Sequence, residues 1–167
     1  MGQTAQYIVK EKREKIIELL NQAFAEEWLA YYQYWIGAKV AVGPMRPDVV
    51  EEFMEHANEE LDHANKLADR IIELGGTPVL SPEEWSKVAK CKYEAPVDEY
   101  VPNVLAQNLT AEKCAVSHYQ QLCDFCHGVD YVTFRLAMKL IKEEVEHEQE
   151  IEDFIRDIEA VKVNMSK

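Results

Sequence analysis

The chain has 167 residues, 47% of them hydrophobic and 10% aromatic, enough for one globular domain with a substantial core. Its 31 acidic and 18 basic side chains leave a formal net charge of −13, which argues against nucleic-acid binding and suits a protein that gathers cations. The start lacks the apolar run of a signal peptide and no stretch of eighteen apolar residues occurs, so a cytoplasmic protein with no membrane segment is expected.

Met1 to Lys10 shows no helical period. A first long helix is expected over about 11–40, where Ile16, Leu20, Ala23, Phe24, Glu27, Tyr31, Tyr34, Trp35 and Ala38 recur at helical spacing. Lys10 to Lys15 mixes charge signs and reads as its solvated start. Gly43-Pro44 stops it, and Arg46-Pro47-Asp48 opens the next, over about 47–74, ended by Gly75-Gly76. So short a break makes the two helices antiparallel. A long connection follows, with a short helix over about 82–89 introduced by a capping box, Ser81-Pro82-Glu83-Glu84. A third long helix is expected over about 102–127 and a fourth over about 131–161, capped by Asp130. The fold class is then all-α: a single-domain four-helix bundle whose one long crossover carries a short helix.

Two phrases organise this chain, Glu60-Leu61-Asp62-His63 and Glu144-Val145-Glu146-His147. Each sets a Glu and a His three apart, on one helical face. Phe53, His56, Leu67 and Leu74 share that face in the second helix; Ala137, Leu140, Ile141, Ile151 and Phe154 share it in the fourth. Both pairs should therefore point inward, where a carboxylate is costly unless it is paired, hydrogen-bonded or bound to a metal. Glu27 lies thirty-three residues before Glu60, and Glu112 thirty-two before Glu144, each on the apolar stripe of its own helix. A helix with a lone Glu followed by a helix with Glu-x-x-His thus occurs twice. Together Glu27, Glu60, His63, Glu112, Glu144 and His147 form the ligand set of a carboxylate-bridged two-metal site, suited to Fe(II), Mn(II) or Zn(II).

The acids adjacent in sequence, Glu26, Glu59, Glu143 and Glu146, fall off the stripes and read as solvated or as supports to the ligands. His56, one turn before Glu60, could be an outer ligand, but a hydrogen-bonded core or surface histidine is the favoured reading. Tyr31 and Tyr34 read as packing or as hydrogen-bond donors to ligands, and His118 and His127 show no partner pattern. Most cytosolic thiols are reduced, so a disulfide would be an exception with a function. Residue reasoning leaves Cys91 and Cys114 as two buried thiols. Cys123 and Cys126 form a lone Cys-x-x-Cys on a helix, read as packing because structural metal sites need two such pairs.

Over nearly its whole length the chain resembles the ferritin-like superfamily. Glu27 is followed by Gln33-Tyr34, and Glu60-Leu61-Asp62-His63-Ala64 by Arg70-Ile71-Ile72-Glu73-Leu74-Gly75, as in ferritins and bacterioferritins. The phrases Glu26 to Trp35, Ala89-Lys90-Cys91-Lys92-Tyr93 and Glu112-Lys113-Cys114-Ala115 are similar to the Dps-like branch called thioferritins. The resemblance implies two iron ions per subunit, with Mn or Zn able to replace them, Glu27 and Glu112 terminal and Glu60 and Glu144 bridging. It also implies a Cys91–Cys114 pair beside that site. The implied activity is a ferroxidase, oxidising Fe(II) with hydrogen peroxide or oxygen, storing ferric mineral in a cage and protecting against oxidative stress. The short crossover helix and the lack of a fifth helix after Val161 match the homododecamers of Dps proteins rather than 24-subunit ferritin shells. The competing readings are a di-manganese or di-iron peroxidase or catalase without mineral storage, and a plain helical bundle, which leaves six inward ligands unexplained.

Overall fold

The computed structural model describes residues 3–165. Among these, six α-helices follow in order: α1 (Gln3–Val9), α2 (Arg13–Val40), α3 (Arg46–Glu73), α4 (Pro82–Val88), α5 (Val101–Cys126) and α6 (Tyr131–Met165). A 3-10 turn, Lys10–Lys12, joins the first two. The four long helices form the bundle. α2 packs mainly on α3 and α5 on α6, with α2–α5 and α3–α6 contacts closing it.

Two apolar clusters fill opposite halves of this bundle. One gathers Ile16 and Leu20 of α2, Leu67 and Ile71 of α3, Leu122 of α5 and Leu140 of α6. The other gathers Tyr34, Phe53, Leu105 and Ile151 from the same four helices. Following the numbering from one cluster to the other shows that α2 and α3 are antiparallel, α3 and α5 parallel, and α5 and α6 antiparallel. Each fully buried leucine or isoleucine contributes about 1.5–3 kcal/mol. Between the clusters lies a layer where Glu and His replace apolar residues.

The crossover between α3 and α5 is held at several points. α4 packs on α2 through stacked Trp28 and Trp85 rings, 5.1 Å between centroids. At the far end, Val42 N donates to Glu99 O (2.8 Å) and Val101 N to Val42 O (2.9 Å), an isolated parallel bridge. The Tyr100 ring closes over Gly43, whose φ is +121°; a Cβ there would meet the ring at 2.7 Å. α3 ends at Gly75 (φ +79°), with Gly76 N donating back to Ile71 O. Asp130 caps α6, accepting from Val132 N and Thr133 N (3.1 and 3.2 Å). It also accepts both hydrogen bonds of Arg70 Nη2 (3.0 and 2.9 Å), joining the end of α3 to the start of α6.

Three expectations are corrected. The segment expected to lack a helix carries α1 and the 3-10 turn. Seven residues are too few for a period to show, and the segment is anchored by Val9, buried in the first cluster. α6 continues beyond Val161 to Met165, because no Gly or Pro interrupts it. Ser81 is the N-cap of α4, but its side chain makes no capping hydrogen bond; its carbonyl accepts from Glu84 N instead (3.0 Å).

Candidate metal centre

The polar layer contains all six residues singled out in the sequence. Glu27 on α2, Glu60 and His63 on α3, Glu112 on α5, and Glu144 and His147 on α6 are each 1–2% exposed. They form two overlapping groups: Glu27, Glu60, His63 and Glu144, and then Glu60, Glu112, Glu144 and His147. Ligand atoms within each group lie within 4.8 Å of one another. His63 Nδ1 is 3.3 Å from Glu27 Oε2, 3.3 Å from Glu60 Oε2 and 3.0 Å from Glu144 Oε1. His147 Nδ1 is 3.3 Å from Glu60 Oε1 and 3.8 Å from both Glu112 Oε2 and Glu144 Oε2. Glu60 and Glu144 therefore turn one oxygen to each group, while Glu27 and Glu112 belong to one group each.

These contacts are close without being hydrogen bonds of acceptable angle. Glu27 Oε2, both Glu60 oxygens, His63 Nδ1, Glu112 Oε2, Glu144 Oε1 and His147 Nδ1 are all buried with no hydrogen-bond partner. Each such group costs about 1–3 kcal/mol, more when charged. Two divalent cations would use every one of these atoms, and the donor set of hard oxygens and borderline nitrogens fits iron, manganese or zinc.

The atoms that face outward do have partners. His63 Nε2 lies 3.1 Å from Glu143 Oε2, and His147 Nε2 lies 2.6 Å from Glu59 Oε2. An outer carboxylate that holds the proton on Nε2 turns the Nδ1 lone pair inward. Tyr34 on α2 donates to Glu112 on α5, and Tyr119 on α5 donates to Glu27 on α2. In the sequence Tyr119 reads only as part of the apolar stripe of the third helix, with no role at the site. The signal was available: it follows Glu112 by the same two turns by which Tyr34 follows Glu27.

Without metal, the cluster holds its charge down by keeping protons. Burial, reinforced by the charge of Glu60, pushes Glu27 well above the usual carboxylate range, and the same causes raise Glu144. Burial would raise Glu60 too, but the close approach of Glu27, His147 and His63 holds it well below that range. Burial alone would lower the two histidines, yet the carboxylates crowded around their Nδ1 atoms raise His63 strongly and push His147 up to about 12. His56, stacked on His147 with centroids 4.1 Å apart, is pushed down to about 3, first by burial and then by the charge of His147.

The expectations for Glu26 and His118 are also corrected. Glu26 was read as off the stripe and His118 as having no partner pattern; both are buried and bonded to each other. Glu26 also accepts from Lys90 N (2.6 Å) and Cys91 N (3.1 Å). The crossover covers that side of α2, so the back of the helix is not wet. Held in this way, Cys91 is disulfide-bonded to Cys114, with Cα atoms 5.8 Å apart. A cavity of about 30 Å³, room for one or two water-sized molecules, lies between Cys91 and Glu27, Glu60 and Glu144. Cys123 and Cys126 are free and buried, and burial pushes the Cys126 thiol up to about 12, which makes it unreactive.

A four-helix bundle with a long crossover and this central Glu/His layer defines a ferritin-like protein. The ferritin-like domain family matches residues 17–161, and the chain belongs to that family. Among solved structures it is similar to the dodecameric thioferritin of Bacteroides fragilis, a bacterioferritin-related protein. The two share 45% identity with a TM-score of 0.97, over 99% of this chain and 100% of that one. The DNA protection during starvation protein of Pyrococcus furiosus is 35% identical over 144 residues, 85% of this chain and 77% of the relative. A bacterioferritin from Desulfovibrio desulfuricans is 31% identical over 140 residues, 83% and 73% of the two chains. No helix among the described residues is long and apolar enough to cross a membrane.

Proposed function

We propose that this ferritin-like protein is a ferroxidase of the thioferritin kind, binding two iron ions per chain through Glu27, Glu60, His63, Glu112, Glu144 and His147. In this reading Glu27 and Glu112 are terminal ligands and Glu60 and Glu144 bridge, in keeping with the one oxygen that each bridging residue turns to either group. The observation that carries the reading is the set of buried, partnerless atoms, all aimed at one space and all supplied by these six residues. Manganese or zinc would fit the same atoms.

Two ferrous ions bound side by side give up one electron each, and the pair reduces one hydrogen peroxide, with two protons, to two waters. Taking both electrons together avoids releasing a hydroxyl radical; oxygen is the other oxidant suited to the site. The four carboxylates favour the ferric products over ferrous substrate, because the higher charge gains more from them. The small cavity beside Cys91 is the right size for a diatomic or peroxide molecule and puts it next to both the iron ligands and the disulfide. Glu26 and His118 hold the Cys91 backbone against that cavity.

The ferric product is stored as mineral inside a homododecameric cage in the cytoplasm, and removing iron and peroxide together protects the cell from oxidative damage. Support for the cage comes from the near-complete overlap with the Bacteroides fragilis thioferritin, itself a dodecamer. With a net charge of −13 per chain, protection rests on this chemistry rather than on coating nucleic acid. The test is Fe(II) oxidation with limiting peroxide, read by ferric absorbance. Wild type should consume two Fe(II) per peroxide, and Glu60→Ala with His63→Ala should lose fast oxidation while keeping its helical circular dichroism. Peroxide disproportionation without iron consumption would overturn the storage reading in favour of a catalase.

A further inference from the structure

Outside the six buried ligands, the described residues bring together Glu52, His56 and Glu150, whose ligand atoms lie within 4.8 Å of one another. His56 is 1% exposed and reaches the group with Nε2, 3.0 Å from Glu150 Oε2 and 3.4 Å from Glu52 Oε1. One ring nitrogen carries at most one proton, so it can satisfy only one of two converging carboxylates. Neither carboxylate has a lysine or arginine within ion-pair distance among the described residues. The other ring nitrogen, Nδ1, is buried with no hydrogen-bond partner. With the proton on Nδ1, the Nε2 lone pair faces two carboxylates, an arrangement that repels unless a proton or a metal cation sits among them.

The surroundings extend the same imbalance. The group forms part of the wall of an open depression of about 320 Å³ on the α3–α6 face. Six glutamates line it, Glu52, Glu55, Glu59, Glu143, Glu146 and Glu150, together with His56 and His147 and no basic side chain. The lysines nearby pair with Glu143 and Glu146, at one end only. At the other end the His56 ring stacks on His147, whose Nδ1 faces the buried centre.

We propose that Glu52, His56 and Glu150 form a third divalent-cation site, standing at the mouth of the buried centre. One imidazole nitrogen and two carboxylates select borderline first-row cations such as Fe(II), Zn(II) or Mn(II). Three protein ligands leave the remaining positions to water, so the ion exchanges with solvent more readily than one enclosed by the bundle. The site takes a hydrated cation from the acidic depression, replaces part of its water, and holds it one stacked ring from the centre. That staging role rests on the proposed function; cation binding itself does not.

The test is anomalous diffraction from crystals of the assembled protein soaked in Zn(II), for wild type and for Glu52→Gln with Glu150→Gln. Equilibrium dialysis against Zn(II) gives the stoichiometry in parallel. The expected result is a wild-type peak bonded to His56 Nε2 and both carboxylates. The double variant should lose that peak and one Zn(II) per chain while keeping the buried pair. No peak at His56 in wild type, or one that survives in the variant, overturns the proposal. An occupied third site beside an empty buried centre would uphold this inference and sink the proposed function. A filled buried centre with nothing at His56 would do the reverse.

Discussion

Stripping the metal and raising the pH together should weaken the protein in a way that loaded protein escapes. The metal-free fold keeps protons that the unfolded chain gives up. His63 and His147 are raised from the ordinary 6.5, the latter to about 12, and Glu27 and Glu144 are raised from 4.5. The stability contributed by the two imidazolium groups is present in full below about pH 6.5 and is lost as the pH climbs towards their folded values. The two carboxyls act in the same direction, their cost beginning above about pH 4.5. Each retained proton costs about 1.4 kcal/mol per pH unit. From about pH 7 to about pH 8.5 the two histidines alone should remove roughly 2–4 kcal/mol, or roughly 5–15 °C of Tm for a chain of this size. Metal bound at the proposed centre would displace these protons, so the gap between loaded and stripped protein should widen by that amount. Calorimetric melting of both forms at equal chain concentration measures it, and Zn(II) titration in buffers of different ionisation enthalpy should count roughly two to four protons released per chain. A gap that stays constant or narrows with rising pH would refute the assignment of protons to this cluster.

Opening the Cys91–Cys114 bond, whose partners are 23 residues apart, should cost about 3 kcal/mol by the loop-entropy argument. Melting Cys91→Ser with Cys114→Ser against oxidised wild type checks this, and thiol counting in denaturant should find two free thiols per wild-type chain before reduction. Replacing Asp130 by Ala leaves the Arg70 guanidinium with only Thr133 and the exposed Glu73 and uncaps α6, with an expected loss of about 2–4 kcal/mol by urea denaturation. Gly43→Ala should be destabilising where Gly128→Ala is much less so: both have positive φ, but only at Gly43 does the new methyl meet the Tyr100 ring. Light scattering coupled to size exclusion should give a mass near twelve times the 19.3 kDa chain, and a dimer mass would remove the cage.

The buried Glu/His layer could be read from the sequence because it follows the helical period: Glu27, Glu60, Glu112 and Glu144 occupy positions where the same faces otherwise carry leucine, isoleucine or phenylalanine. That reasoning divides each helix into one dry face and one wet face. It misplaced Glu26 and His118, because the crossover dries a second side of α2 and no local pattern reports what a distant segment will cover. The Cys91–Cys114 bond was beyond residue reasoning for the same cause. Spacing left two buried thiols, and only the resemblance to thioferritins paired them. The Ser81 phrase marked where α4 begins, while the side-chain hydrogen bond it suggests is absent. α1 fell below the length at which periodicity carries information.

The exchange of tyrosines across the bundle bears on how this protein matures. Tyr34, from the α2–α3 half, steadies the glutamate of the other half, and Tyr119 returns the contact. Each proposed four-residue group draws on both halves, since Glu27, Glu60 and His63 need Glu144, and Glu112, Glu144 and His147 need Glu60, so on the proposed function neither hairpin alone offers a complete site. During synthesis the chain passes through a stage when α2 and α3 exist without α5 and α6, and a half-built site there would bind redox-active metal in reach of solvent. If the six residues are the iron ligands proposed above, dividing them and their tyrosines between the halves would tie a complete site to docking of both hairpins, and full metal uptake would then report completed folding.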